Sequence, residues 1–143
     1  MCQELDNEFL NIAKQYNLKA GSTLLLSMVK NDKFTISNIG DSICLLLKQN
    51  GEMRKLTNEQ TPNREDEHNR ILQNNGLITM KNGVARVDGS IAVSRAIGDL
   101  QYKQFLISEP ETETHVIQPD DDLLILSTDG LFAAPSYKEE NVA

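Results

Sequence analysis

The chain is short of the residues that carry several common chemistries. It has two cysteines, Cys2 and Cys44, and two histidines, His68 and His115, in 143 residues. Two cysteines make neither a CxxC pair nor the dense framework that staples small secreted domains. A thiolate that attacks phosphate needs a loop of backbone N–H groups and an arginine close behind it. Cys44 is followed instead by Leu45, Leu46, Leu47, Lys48, Gln49 and Asn50. A cysteine-dependent phosphatase is excluded on those grounds, and Cys44 reads as a small buried hydrophobe in a strand. His68 and His115 lie far apart and form no H-E-x-x-H pair, so solvated or locally paired histidines explain them better than zinc ligation.

Long apolar runs are also missing: none approaches the roughly 20 residues that span a bilayer. The opening MCQELDNEFL is acidic and lacks the basic start and apolar stretch of a signal peptide. An intracellular chain without a membrane partner is the expectation, cytoplasmic with the nucleus as the alternative. Basic residues are outnumbered, 14 against 21 acidic ones, for a formal net charge of −7. Such a surface repels a phosphate backbone, which argues against nucleic acid. A phosphorylated substrate stays compatible if a bound metal supplies positive charge locally. No glycine-rich phosphate loop exists, because NNGLITMKNG lacks the lysine and spacing of a P-loop.

What is present is an ordinary globular mixture, 39% hydrophobic and 24% charged, enough for one domain. Leu5, Phe9, Ile12, Ala13 and Tyr16 recur at helical spacing and predict an amphipathic helix over 3–17. GSTLLLSMV reads as a buried strand, KFTISN as a half-buried one and SICLLLK as a third. Asn50-Gly51 turns into EMRKLT, and Asn82-Gly83 joins LITM to VARV. Residues 64–75 read as a helix with an acidic first turn and Gly76 past its end. IAVSRA, TETHVIQ and LLILST are further strands. Strands joined by tight turns, with helices set apart, predict antiparallel sheets with helices packed outside. Asp120-Asp121-Asp122 is a charged loop, since no calcium-loop spacing surrounds it. Ser136 to Glu139 has the form of a capping box and should open a helix. So short a helix at the end of the chain suggests a cut inside a larger fold.

Asp129 is the leading candidate for chemistry. A carboxylate at the end of an aliphatic strand is held rigidly, which suits a metal ligand, and Gly130 leaves room beside it. Taken alone, a plain Asp-Gly turn accounts for it better. Asp41, in NIGDS, reads as an acceptor for backbone N–H groups of its own turn. Arg95 reads equally as an anion ligand or as the partner of Asp99 or another carboxylate.

Order, rather than any one feature, is informative. AGST at 20–23, NIGDS at 38–42, RVDG at 86–89, AVSRAIGD at 92–99, SEPE at 108–111 and STDGLF at 127–132 together resemble the metal-dependent protein phosphatases of the 2C type. The resemblance covers the chain from about Leu18 and corresponds to the middle and later part of that domain. It implies an α+β fold of two packed antiparallel sheets flanked by helices, with residues 1–143 forming a partial domain. It implies hydrolysis of phosphoserine and phosphothreonine in phosphoproteins. Two Mg²⁺ or Mn²⁺ ions would hold a water or hydroxide that attacks phosphorus in line. Asp129 matches a metal-ligating aspartate of that family. Glu59, in LTNEQTP, is a second metal candidate, with a solvated loop glutamate as the plainer alternative. Ala133 stands where many members have another aspartate.

The family's early acidic motif and its Asp-Gly-His site fall upstream of this chain, and its closing Asp-Asn ligand falls downstream. One aspartate cannot organise two Mg²⁺ ions, so the 143 residues alone are expected to be inactive. The alternative is a non-catalytic phosphatase-like module that binds a protein partner. A third reading is a folding-competent part that self-associates with a second copy.

Overall fold

The computed structural model describes residues 1–131. The helix expected from Ser136, and Ala133, lie outside the described residues. Helix α1 spans Cys2–Tyr16 and ends at Asn17, which takes the left-handed conformation and returns its N–H to Ala13 O. Its apolar stripe is only partly used. Leu10 and Ala13 are buried, while Leu5, Ile12 and Tyr16 stay exposed. The helix is anchored by charge instead. Buried Asp6 accepts the Gly98 N–H at 2.7 Å, and its other oxygen lies 2.7 Å from Lys103 Nζ.

Strands β1 (Gly21–Ser22), β2 (Leu24–Lys30), β3 (Lys33–Ile39), β4 (Ile43–Lys48) and β5 (Met53–Lys55) follow. Helix α2 (Glu65–Gln73) then precedes the hairpin β6 (Ile78–Lys81) and β7 (Val84–Val87), the short β8 (Ile97–Gly98), β9 (Glu111–Val116) and β10 (Asp121–Ser127). Two antiparallel three-stranded sheets form the centre, ordered β2-β3-β9 and β10-β4-β5. They pack through Phe34 and Ile36 of one and Cys44 and Leu46 of the other, with Leu56, just past β5, in the same cluster. The period-two alternation of β3 places Phe34, Ile36 and Asn38 on that inner face. A second core, built on Ile71, Val87, Ala96, Phe105 and Leu106, lies around α2, the β6–β7 hairpin and the segment after β8. The expected α+β architecture of packed antiparallel sheets with accompanying helices is therefore present.

Three expectations need correction. GSTLLLSMV is not a buried strand: it breaks into β1 and β2, and Met28 and Val29 are each 64% exposed. The reason is position, because among the described residues β2 has β3 as its sole neighbour in the sheet. The strand before Asp129 is likewise an edge among the described residues, paired there with β4 alone, with Leu123 and Leu126 exposed. IAVSRA does not form a strand. Its backbone bonds go to different partners, Ser94 N–H to Gln60 O and Ala96 N–H to Ile107 O, which leaves isolated bridges rather than a ladder. Gly76 does lie just past the end of α2, as expected, while the left-handed residue there is Asn75, φ 60°. Gly76 is there for packing, since a Cβ would approach Ile71 Cγ2 to 2.6 Å.

Candidate metal centre

Asp129 follows β10 and opens a single 3-10 turn, Asp129–Leu131. It is exposed. Gly130 is not demanded by the backbone: its φ is not left-handed, and an added Cβ would meet nothing nearer than Thr128 Oγ1 at 3.4 Å.

Asp41 lies in the connection between β3 and β4. Gly40 before it has φ 105°, and a Cβ there would fall 2.3 Å from Thr23 Cγ2, so the position requires glycine on two counts. The connection is pinned from three sides. Gln60, fully buried, accepts the Gly40 N–H at 2.6 Å and donates to Asn38 O at 3.1 Å. Asn38 Nδ2 donates to Gly40 O. Thr57 Oγ1 accepts the Cys44 N–H and donates to Ser42 O. The result is a rigid platform that holds Asp41 where it feels two other carboxylates.

Burial pushes the Asp41 carboxyl above its ordinary value, and the charges of Asp129 and then Glu59 push it further, while its own backbone hydrogen bond opposes them. The turn acceptor read from the sequence is thus also a member of an acidic group. Glu59 is engaged with Lys55, Nζ to Oε1 at 2.5 Å. It also borders an open polar depression of about 540 Å³ shared with Asn58, Arg64, Asp66 and Glu111.

The oxygen donors are of the right type for a hard divalent cation. Their arrangement falls short: among the described residues, no three His, Cys, Asp or Glu side chains come together closely enough to hold a metal ion. Mg²⁺ takes six oxygens in near-octahedral array, so Asp41, Glu59 and Asp129 do not complete a site for it by themselves.

The other candidates are accounted for by internal bonds. Arg95 does not pair with Asp99. Its Nε and Nη2 donate to Glu67 Oε1 at 3.0 and 2.7 Å, Nη2 to Glu111 and Nη1 to Glu109 O. Glu67 also takes Arg70 at 2.6 Å and Arg64 at 3.3 Å. Burial alone would raise Glu67, but hydrogen bonds from Arg95, Ser94 and Arg70 overcome it and hold the carboxyl below its usual value. His68 Nδ1 lies 3.1 Å from Pro62 O. His115 stacks on Phe34, ring centres 5.1 Å apart. Burial pushes the Cys44 thiol up to about 11, an inert state that agrees with its exclusion as a nucleophile.

Sequence reasoning passed over Gln60 and Glu67, both buried polar anchors. Glu67 had one usable signal, a glutamate three residues before Arg70 on one helix face.

A family model described as protein phosphatase 2C matches residues 2–140. The chain belongs to the protein phosphatase 2C family. This protein phosphatase 2C chain is 40% identical over 134 residues to "Probable protein phosphatase 2C 2" of Arabidopsis thaliana, covering 94% of the chain and 34% of that relative. Among solved structures, it is similar to a C. elegans sex determining protein, with TM-score 0.85 and 28% identity, covering 91% of this chain and 32% of the other. It also shares its fold with a serine-threonine phosphatase 2C from Toxoplasma gondii, with TM-score 0.84 and 24% identity, covering 91% and 48%. The chain therefore spans about a third of the length of the curated relative it matches.

Proposed function

We propose that this chain is part of a protein serine/threonine phosphatase that hydrolyses phosphoserine and phosphothreonine in protein substrates. In this reading Asp129, with Asp41 beside it, supplies one wall of a site for Mg²⁺ or Mn²⁺, and Glu59 lies at its margin. The remaining ligands come from polypeptide that the 143 residues do not include. The observation that carries the reading is the Asp41 carboxyl, raised by burial and then by the charges of Asp129 and Glu59, in a chain that the family model matches. A divalent cation would relieve it and would supply the Lewis-acid chemistry of phosphate hydrolysis. The chain's own contribution is positional: the pinned β3–β4 connection and the β4-paired end of β10 fix the two aspartates in place. No observation favours the non-catalytic module over this reading. The cytoplasm is the proposed location.

The test is hydrolysis of a phosphothreonine peptide with Mn²⁺. A polypeptide extended to the full length of the relatives should turn over, and Asp129→Ala should reduce its rate at least about a hundredfold, as expected for loss of a group that stabilises developing charge. The 143 residues alone should show no appreciable turnover. Unchanged activity in the Asp129→Ala protein would overturn the assignment.

A further inference from the structure

The inner face of β9 is acidic where a core strand would be apolar. Glu111 and Glu113 stand opposite Asn38 and Ile36 of β3, so all four side chains share the inward side of the sheet. Glu111 is accounted for by Arg64 and Arg95. Glu113 is not. Among the described residues its carboxylate meets only His115 Nε2, at 3.4 Å, and the side chain is 58% exposed. Asn38 is also incompletely used. It is 2% exposed, its Nδ2 donates to Gly40 O, and its buried Oδ1 has no hydrogen-bond partner.

These two residues line one hollow. With Ile36, Leu56, Thr57 and Glu111 they surround a cavity of about 20 Å³, on the order of the room that one water or one ammonium head needs. Asn58, Glu111 and Glu113 also line the open depression of about 540 Å³, so the cavity and the depression adjoin. Their walls all lie between Ile36 and Glu113, and none comes from either end of the chain.

We propose that the cavity and the depression together seat the side chain of a lysine in the phosphoprotein substrate. The ammonium donates to Asn38 Oδ1 and pairs with Glu113, while its methylene stem lies along Ile36 and Leu56. The proposal rests on the phosphatase reading and names the substrates it favours: phosphorylated segments with a lysine near the phosphoresidue.

Chemistry selects this occupant. The unmet group in the cavity is an acceptor, so the ligand must donate. Among the described residues, Glu59, Asp66, Glu111 and Glu113 line the depression against one basic residue, Arg64, which is held by Asp66 and Glu111. An anion is therefore disfavoured. A metal ion is disfavoured too, since no three metal-ligating side chains come together among the described residues. A guanidinium is a broad planar fork, too wide for so small a space, whereas an ammonium is compact and sits on a slim flexible stem. Position links the seat to the chemistry. Asn38 bonds Gly40 O, next to Asp41, and Glu59, at the margin of the candidate metal centre, borders the depression.

The test uses the polypeptide extended to the length of the relatives, with Mn²⁺ and phosphothreonine peptides carrying one lysine at each neighbouring position in turn. The control set has norleucine there, which keeps the stem and lacks the charge. At one position or more, lysine should lower KM about tenfold, the effect of a charge-assisted hydrogen bond, with kcat unchanged. Glu113→Gln should bring the lysine peptide to the KM of its norleucine control, and thermal unfolding of that variant separates loss of the seat from loss of the fold. A second measurement needs no turnover. Titrating n-butylammonium chloride into the chain should shift the NMR signals of the Asn38 side-chain amide, and neither n-butanol nor sodium chloride should. Turnover without a lysine preference would overturn the proposal and leave the phosphatase reading standing. A butylammonium shift without any turnover would overturn the phosphatase reading and support the ammonium seat. Neither turnover nor shift would overturn both, with the cavity holding water alone.

Discussion

Glu67 and Asp41 are both carboxylates set into the folded chain, yet their surroundings act on them in opposite directions. Glu67 is 2% exposed and is met by Arg64, Arg70 and Arg95, with Glu111 completing the network. Asp41 is pushed up by burial and then by the charges of Asp129 and Glu59, and Lys55 pairs with Glu59. The first group carries its own neutralising partners and is therefore structural. The second places a half-buried carboxyl near like charge on a pinned connection, a stability cost that the proposed cation site would relieve.

The largest expected effect comes from breaking the neutralised group. Glu67→Gln leaves three arginines facing a neutral amide, and losing one member of a buried ionic network costs about 3–5 kcal/mol; urea denaturation measures it. The pH dependence follows from the direction of the shift. Glu67 is depressed when folded, so its contribution is present above the ordinary glutamate value of 4.5 and is lost as pH falls through the folded value. The Glu67→Gln protein should lack that acid-limb loss.

Next in size is the platform beneath Asp41. Gly40→Ala places a methyl group against Thr23 and forces a left-handed alanine, at a cost of about 1–3 kcal/mol. Thermal unfolding would show it, and a chain of unchanged stability would mean the connection is not rigid.

The smallest effect is the most telling. Asp41→Asn removes repulsion, so at neutral pH it should stabilise by a few tenths of a kcal/mol, a discount that its partial exposure requires. Because Asp41 is raised when folded, its protonated, neutral form favours the folded chain, an advantage fully present below the ordinary aspartate value of 3.8. That advantage disappears as pH rises through the folded value. Millimolar Mn²⁺ should raise the melting temperature of the unmodified chain slightly and leave Asp41→Asn unmoved. Equal response in both would erase the contrast between the two groups.

Local chemistry made much of the fold legible in advance. Asn50-Gly51 and Asn82-Gly83 turned where expected, with Asn82 and both glycines at positive φ, and the alternation of KFTISN gave the inner face of β3. Exposure was not legible. Leu24 to Val29 and Leu123 to Leu126 are as apolar as any core strand, and only the sheet order reveals them as edges. The candidate site was half legible. Asp129 stood out through its position after an aliphatic run, but Asp41 looked like an ordinary turn aspartate because its neighbours come from distant parts of the chain. Gln60 and Glu67 escaped for the same reason, since a buried polar residue is recognisable only through partners that folding brings to it.

The pairing of β3 with β9 also bears on how the molecule is made. Thr35 hydrogen-bonds Thr114 across 79 positions, whereas β2 and β3 meet through a two-residue turn. Chain closure over such a span is slow relative to hairpin formation. During synthesis, early hairpins would therefore wait on the ribosome with their apolar faces bare until the last strands emerge, the interval in which chaperones have most to do.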